Sequence, residues 1–261
     1  MGTNEFTTFS SQRQGHHNRP LLQRACFPTS VIMECGWIPK TRDRSRNAMS
    51  RIVVMGGSRG VGLQTVKALL KEGHEVVAFS RSATNLQLNN PKLTKISGDA
   101  TRESDVRTVI EGADAVVQAL GVPMNLKLIT GPINLFSMAT ETLISIMEST
   151  GVRRLIAVTG FGAGDSEAAI NCFQKIPFSI VFGQAYRDKS VQEESIKKSD
   201  LDLTIVRPGV LTNGTLRQGY RVRQHRKEWR NGIISRAAVG DYISRIVNDP
   251  DTHGTDPVLA N

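Results

Sequence analysis

Short apolar runs alternate with amphipathic stretches along most of this chain, from residue 51 to its end. Apolar runs bounded by turn residues predict buried strands, and apolar residues at every third or fourth position predict helices. Strands are expected near 51–55, 75–80, 93–98, 114–118, 153–158 and 202–207, with short ones near 219–223 and 257–259. Helices are expected near 61–72, 103–111, 133–150, 185–199 and 236–248. This order predicts a single α/β domain over residues 49–261, with a doubly wound, mainly parallel sheet and helices on both faces.

The first predicted strand leads directly into a glycine-rich turn. Residues 56–62 read Gly-Gly-Ser-Arg-Gly-Val-Gly, and an amphipathic stretch follows them. Glycines tolerate positive φ and let the backbone approach a phosphate, while the following helix offers unpaired N–H groups. Strand, glycine turn and helix in this order favour a dinucleotide site of the Rossmann type over a merely tight turn. The candidate cofactor-binding residues in the turn are Gly56, Ser58, Arg59, Gly60, Val61 and Gly62.

The residues after the second strand indicate which dinucleotide is bound. An acidic residue at this point accepts hydrogen bonds from the ribose of NAD, whereas a basic one favours the 2′-phosphate of NADP. The stretch Ser80-Arg81-Ser82 contains no acid. Two arginines, Arg59 and Arg81, together with two hydroxyls suit a phosphate dianion, although a solvated arginine is the simpler alternative. We therefore expect NADP(H), with NAD the less favoured cofactor.

The ends of the later strands supply the remaining candidate contacts. Asp99 and Ala100 follow the third strand, where Asp99 either reaches the adenine edge or caps the next helix. Leu120 and Gly121 follow the fourth strand, where small residues allow the cofactor to lie close. Thr159 ends the fifth strand, near the expected position of the nicotinamide.

Two polar segments have alternative interpretations. The loop after the fifth strand contains Asp165 and Ser166, which either touch a substrate or cap the next helix. Residues 216–236 carry seven arginine and lysine residues with interleaved aromatics. A nucleic-acid patch is one interpretation, but a solvated rim that partly faces the cofactor is favoured, because residues 220–223 alternate like a one-sided strand.

The first 48 residues differ from the rest in composition. They hold seven basic and three acidic residues and lack apolar periodicity, so they predict a disordered or non-native extension, residues 1–48. An upstream start, an organelle presequence and a native disordered arm all remain open. Without the extension the net charge is only +5, which does not require nucleic acid as a partner. No secretory or membrane-spanning run is seen, so a cytoplasmic protein without membrane partners is expected, with organelle targeting left open. The three cysteines and scattered histidines predict no disulfide framework and no metal site.

Several motifs taken together resemble those of a known family. They are the glycine turn, Arg81, Gly98-Asp99, Ala119-Leu120-Gly121, the segment 199–209 and the segment 234–242. The chain resembles the atypical short-chain dehydrogenases/reductases, and more narrowly the NAD(P)H-binding proteins related to NmrA-like domains and to flavin reductase/biliverdin-IXβ reductase. The resemblance covers roughly residues 50–260. It implies the fold and the cofactor strongly and the reaction only weakly.

The expected catalytic pair departs from that family's pattern. Short-chain dehydrogenases use Tyr-x-x-x-Lys on one helix face, where the phenol donates a proton and the lysine holds the ribose. The resemblance places Lys189 at the lysine position, but Ala185 stands four residues before it and Tyr186 only three. We expect the phenol to be turned and displaced by about 1.5 Å, the rise of one residue. The flavin-reductase branch has a serine and a histidine where this chain has Gly160 and Gly209.

Two hypotheses follow from the sequence. The first is an NADPH-dependent oxidoreductase, with Tyr186 and Lys189 as candidate catalytic residues and a flavin, quinone or carbonyl compound as acceptor. The second is a protein of the NmrA-like type that senses NADP(H) without turnover. Either is expected to act as a monomer or homodimer.

Overall fold

The computed structural model describes residues 49–121, 134–169, 172–215 and 219–261. Of residues 167–169 and 172–183, only the backbone is described. The predicted extension, residues 1–48, lies outside these ranges, so its character remains an expectation.

Eight strands form one mixed sheet that is parallel except at one edge. In chain order, the strands of the described residues are β1 Arg51–Met55, β2 Glu75–Ser80, β3 Leu93–Ser97, β4 Ala115–Gln118, β5 Arg154–Val158, β6 Asp202–Pro208, β7 Val210–Thr212, β8 Arg221–Arg223, β9 Ile233–Ser235 and β10 Val258–Ala260. The order across the large sheet is β3-β2-β1-β4-β5-β6-β10-β8. Only β8 runs antiparallel to its neighbour, β10. Strands β7 and β9 form a separate parallel pair.

Five α-helices of the described chain cover both faces of the sheet. They are α1 Gly60–Lys71, α2 Glu103–Ile110, α3 Leu135–Thr150, α4 Cys172–Lys198 and α5 Arg236–Ile246. Ile52 and Val54 of β1 pack with α1 and α5, whereas Val53 and Met55 pack with α2, α3 and α4. Because successive side chains of a strand point to opposite faces, this alternation buries both faces of the sheet. The predicted doubly wound α/β fold is confirmed.

The element boundaries depart from the sequence prediction in two places. Helix α4 begins at Cys172 rather than near residue 185; Pro177 lies in this extension, and proline lacks the N–H donor that a helix interior uses. The pair β7 and β9 was not predicted, because three-residue strands with exposed ends carry almost no periodic signal. Gly209 and Gly232 precede these strands, and a side chain on Gly209 would overlap the carbonyl of Gly232.

Candidate cofactor and active site

The parallel strands end at one edge of the sheet, and the residues singled out in the sequence lie along that edge. Gly56 to Gly62 connect β1 to α1, Ser80 ends β2, and Arg81 and Ser82 follow it. Asp99 and Ala100 follow β3, Leu120 and Gly121 follow β4, and Thr159 follows β5. Tyr186 and Lys189 come to the same edge from α4. In open α/β sheets, ligands bind in the crevice outside the carboxyl ends of the strands.

The glycine turn is shaped by two close backbone approaches. Gly56 has φ +81°, and a Cβ there would overlap the carbonyl of Ala119 at the end of β4. A Cβ on Gly62 would overlap the carbonyl oxygen of Gly56. Side chains at these positions would therefore force β1, β4 and the start of α1 apart.

The amino end of α1 faces this edge without a protein cap. Arg59 occupies the N-cap position with no side-chain cap hydrogen bond, and the first turn of α1 contains no acidic residue. Among the described residues, a Cβ on Gly60, or on Gly121 opposite, would meet nothing within 4 Å. The helix end therefore presents its N–H groups and positive dipole to the crevice beside the strand ends, as an anion-binding turn requires.

The end of β2 gathers hydroxyl groups around Arg81. The hydroxyls of Ser58 and Ser82 lie 3.3 Å apart, and the Ser82 N–H donates to the Ser80 hydroxyl at 3.4 Å. Hydrogen bonds from the backbone and side chain of Thr101 lower the pKa of Asp99, with smaller contributions from the charges of Arg81 and Arg102. This end of the site thus holds three hydroxyls, the Arg81 cation and, close by, one carboxylate.

The positions of Arg59 and Asp99 differ from those that the sequence most simply suggests, a site beside Arg81 for Arg59 and a helix cap for Asp99. Arg59 Nη2 donates to the Gly121 carbonyl at 3.4 Å, which directs it toward β4, whereas Arg81 follows β2 on the other side of β1. The Asp99 carboxylate accepts from the N–H and hydroxyl of Thr101 at 2.9 and 2.8 Å. The N-cap of α2 is Arg102, not Asp99.

A buried ion pair supports the end of β5. Arg207 is 0% and Glu193 1% exposed, and Arg207 donates from Nε and Nη2 to the two Glu193 oxygens at 3.1 and 2.7 Å. Thr159 donates its hydroxyl to the same carboxylate at 2.6 Å. Arg207 Nη1 also lies 2.9 Å from Asp256, and Trp229 packs 4.7 Å from the guanidinium. Because both charges are paired and hydrogen-bonded, they hold α4 rigidly against β5 and β6.

Lys189 is anchored on the same strand end. Its Nζ donates to the carbonyl of Thr159 at 2.8 Å and lies 4.4 Å from the centre of the Phe136 ring. Burial lowers the pKa of Lys189 to about 8, although the charges of Glu193 and Asp188 oppose this shift. A lysine in this state can give up its proton near neutral pH.

The phenol of Tyr186 lies beside Gly160, at the end of β5. A Cβ on Gly160 would lie 2.9 Å from the Tyr186 hydroxyl. The missing side chain at 160 therefore leaves the room into which the phenol reaches. Burial raises the pKa of Tyr186 to about 12, so the hydroxyl keeps its proton at neutral pH.

The loop after β5 is held by its own polar groups. The Ser166 hydroxyl accepts from the Gly162 N–H at 2.8 Å and donates to the Ala163 carbonyl at 2.6 Å. Asp165 lies 2.6 Å from both Lys197 and Arg226. Ser166 is fully buried; its contacts fix the loop.

Sequence reasoning did not single out Glu193 and Arg207. Two signals were available: Arg207 is a charged residue that directly follows the apolar pair Ile205-Val206 in strand β6, and Glu193 follows Lys189 by one helical turn. A buried charge in a strand needs a partner, and the helix face of Lys189 was the place to look.

Comparison with known proteins identifies the family. The family model described as NAD(P)H-binding matches residues 56–250. The chain belongs to the NAD(P)H-binding family. The matched segment begins at Gly56 and includes the glycine turn, the β2 end and α4.

The individual relatives described next are at most 28% identical to this chain. A solved structure of ChuY, an anaerobilin reductase from Escherichia coli, is 27% identical, covers 81% of this chain and 97% of its own length, and has a TM-score of 0.67. A 3-beta-hydroxysteroid dehydrogenase of Mycolicibacterium neoaurum is 28% identical over 57% of this chain and 43% of its own length. An uncharacterised chloroplast protein of Arabidopsis thaliana is 27% identical over 71% of this chain and 66% of its own length. The chain thus spans less than two thirds of these two curated relatives. A short-chain dehydrogenase/reductase of Veillonella parvula, solved with NADP, is 17% identical with a TM-score of 0.63 and shows the shared fold.

The residues at the sheet edge fit an NAD(P)H cofactor. The uncapped end of α1 and the open space at Gly60 and Gly121 leave room for a pyrophosphate, and the polar groups around Arg81 suit the adenosine end. Within the described ranges, no group of three or more metal-ligating side chains comes together. None of the helices described there has the length and apolar character needed to cross a bilayer.

Proposed function

We propose that this protein is an NADPH-dependent reductase that reduces a small flavin, quinone or carbonyl compound. One observation carries the proposal: Tyr186 and Lys189 both reach the carboxyl end of β5, beside Gly160 and Thr159. A phenol and an ammonium group at this point lie where the family's nicotinamide end is expected. The names of the ChuY and hydroxysteroid dehydrogenase relatives agree with a redox role.

The bound cofactor would supply the hydride. Gly56, Gly62 and the amino end of α1 would hold its pyrophosphate, and Lys189 and Thr159 would lie at its nicotinamide end. For a carbonyl or quinone, the Tyr186 hydroxyl would donate a hydrogen bond and then its proton to the acceptor oxygen. A flavin needs stacking and little acid catalysis, so its reduction would not depend on Tyr186.

The preference for NADP rests on Arg81. Its guanidinium and the hydroxyls of Ser58, Ser80 and Ser82 suit the 2′-phosphate through charge-assisted hydrogen bonds. Arg59 lies toward β4 in the structure, so we assign it to the pyrophosphate rather than to the 2′-phosphate.

A cofactor sensor of the NmrA-like type is the second candidate. The raised pKa of Tyr186 favours it, because burial, the cause of that shift, makes the phenol a weaker acid. In catalytic pairs of this kind the lysine is expected to make the phenol a better proton donor.

Consumption of NADPH with a panel of flavins, quinones and carbonyl compounds separates these candidates. A reductase consumes NADPH with at least one class, and Tyr186→Phe slows carbonyl and quinone reduction while leaving flavin reduction unchanged. A sensor binds NADP and NADPH with similar affinity and consumes neither. The matched control is Tyr220→Phe, since Tyr220 bonds to Asp241 outside the proposed site.

The cellular location and the role of residues 1–48 remain predictions. We place the protein in the cytoplasm as a monomer or homodimer without nucleic-acid or membrane partners. Two curated relatives are named as chloroplastic, so an organelle is the alternative. Fusing residues 1–48 to a fluorescent protein tests this directly: a diffuse signal supports the cytoplasm, and an organellar signal overturns it.

A further inference from the structure

Three arginines at the free edge of the sheet lack acidic partners. Arg221 and Arg223 lie on β8, and Arg230 lies in the loop before β9. Among the described residues, none of the three forms an ion pair. Burial lowers the pKa of Arg223, and the charges of Arg221 and Arg230 lower it further, while Glu228 opposes them. Like charges brought together in this way are unfavourable unless something of opposite charge neutralises them.

Two hydrogen-bond donors in this region are buried without an acceptor in the described chain. They are Arg223 Nη1 and the indole Nε1 of Trp229, and Trp229 is only 5% exposed. Buried donors are nearly always satisfied in native proteins, so each orphan needs an explanation. A bound group that carries acceptor oxygens would satisfy them.

The strand register connects these donors to the active site. Val258 of β10 pairs with Arg207 of β6 on one side and with Arg223 of β8 on the other. Val258 also packs against Phe161 and Trp229. Directly paired residues share a face of the sheet, so Arg223 lies on the same face as Arg207 and its Glu193 partner on α4. Arg221 lies two residues from Arg223 along the strand and points to the same face.

The spacing suits one extended small molecule. Neighbouring strands lie about 4.8 Å apart, so β8 is about 14 Å from β5 across β6 and β10. Long arginine side chains shorten that gap. An acceptor that is reduced above Thr159 and Gly160 and carries an acidic tail therefore has the length to place that tail against the arginines.

We propose that Arg221, Arg223 and Arg230 form a binding site for the carboxylate or phosphate group of the acceptor. This inference rests on the reductase function proposed above and narrows its substrates to anionic molecules. A nucleic acid fits less well, because Trp229 is buried and the Tyr220 ring packs edge-on against Tyr242 and the core, so neither ring is well placed to stack on a base.

FMN and riboflavin provide the matched probes, since they differ by one phosphate. We expect the NADP-loaded protein to bind FMN about tenfold more tightly than riboflavin in a flavin fluorescence titration. Arg221→Gln/Arg230→Gln should remove that preference and leave riboflavin affinity unchanged; both side chains are exposed, so folding should be unaffected. The control Lys67→Gln/Lys71→Gln removes the same charge from exposed positions of α1 and should keep the preference.

Equal binding of FMN and riboflavin by the wild type, or a preference that survives in the arginine variant, would overturn the inference. So would a single-stranded oligonucleotide that displaces FMN and loses affinity in the arginine variant, since it would assign the cluster to nucleic acid. An arginine-dependent FMN preference without NADPH consumption would support the anion site and count against the reductase function alone.

Discussion

The cofactor end and the reaction end of the site are built in different ways. At the cofactor end, backbone groups and glycines form an open turn, with Arg59 and Arg81 exposed at its margins. At the reaction end, long charged side chains are buried against each other, with Glu193 and Arg207 almost fully enclosed. The first arrangement can accept a phosphate with little rearrangement, whereas the second fixes α4 on β5 and so fixes the phenol and the lysine.

The largest expected effect is at the reaction end. Glu193→Gln leaves the buried Arg207 charge with Asp256 as its remaining carboxylate partner, and removing one member of a buried pair costs about 3–5 kcal/mol of unfolding free energy. Urea denaturation measures the loss. The neighbouring exposed change Glu194→Gln, which breaks only a surface pair with Lys198, should leave the midpoint unchanged.

A second substitution tests whether Glu193 acts through charge pairing. Glu193→Leu/Arg207→Met replaces the pair with apolar groups of similar length and should recover most of the lost stability. A double variant as unstable as Glu193→Gln would show that the ion pair is not what holds α4 in place.

At the cofactor end, the close approach in the glycine turn gives the next largest effect. Gly62→Ala places a methyl group against the Gly56 carbonyl, and overpacking of this kind costs about 1–3 kcal/mol. The new methyl group of Gly121→Ala meets nothing within 4 Å among the described residues, so this variant should keep wild-type stability. If both variants unfold at the same denaturant concentration, the close approach of Gly62 to Gly56 does not limit stability.

These two ends also differ in how far the sequence alone could predict them. The glycine turn lies within seven consecutive residues, so its backbone demands are visible locally, as are the strands that lead into it. The contacts of the reaction end join residues far apart in the chain: Thr159 meets Glu193, and Gly160 faces Tyr186. Their pairing depends on how α4 packs on the sheet, which no local spacing specifies. Counting residues back from Lys189 predicts a displaced phenol, but it cannot show the room that Gly160 leaves for the Tyr186 hydroxyl.

Arg81→Ala tests the choice of cofactor. Loss of a charge-assisted contact to the 2′-phosphate should weaken NADP binding about tenfold, or about 1.4 kcal/mol, and leave NAD binding unchanged. Isothermal titration with both cofactors measures this. We assign Arg59 to the pyrophosphate, which NADP and NAD share, so Arg59→Ala should weaken the binding of both cofactors alike. Unchanged NADP affinity in Arg81→Ala would show that Arg81 does not bind the 2′-phosphate.

The last expected effect is a pH dependence of stability that originates from Lys189. Burial lowers its pKa from 10.5 to about 8, so between these values the unfolded chain binds more protons than the folded one. Stability then rises with pH across this window. The unfolding free energy of the wild type, measured relative to Lys189→Met, should rise by about 2 kcal/mol between pH 8 and 10. Above pH 10 the raised pKa of Tyr186 acts in the opposite direction, so the comparison stops there. If the difference in unfolding free energy does not change with pH, the Lys189 ammonium group is solvated in the folded protein.

In the proposed reductase, hydride leaves the cofactor at the end of β5, and a single-turnover experiment tests this step. NADPH-loaded protein is mixed with each acceptor class, and NADPH absorbance is followed alongside a binding titration. We expect NADPH to disappear in one turnover with at least one acceptor, and Lys189→Met to slow the loss. NADPH that stays bound and unoxidised with every acceptor would overturn the reductase function.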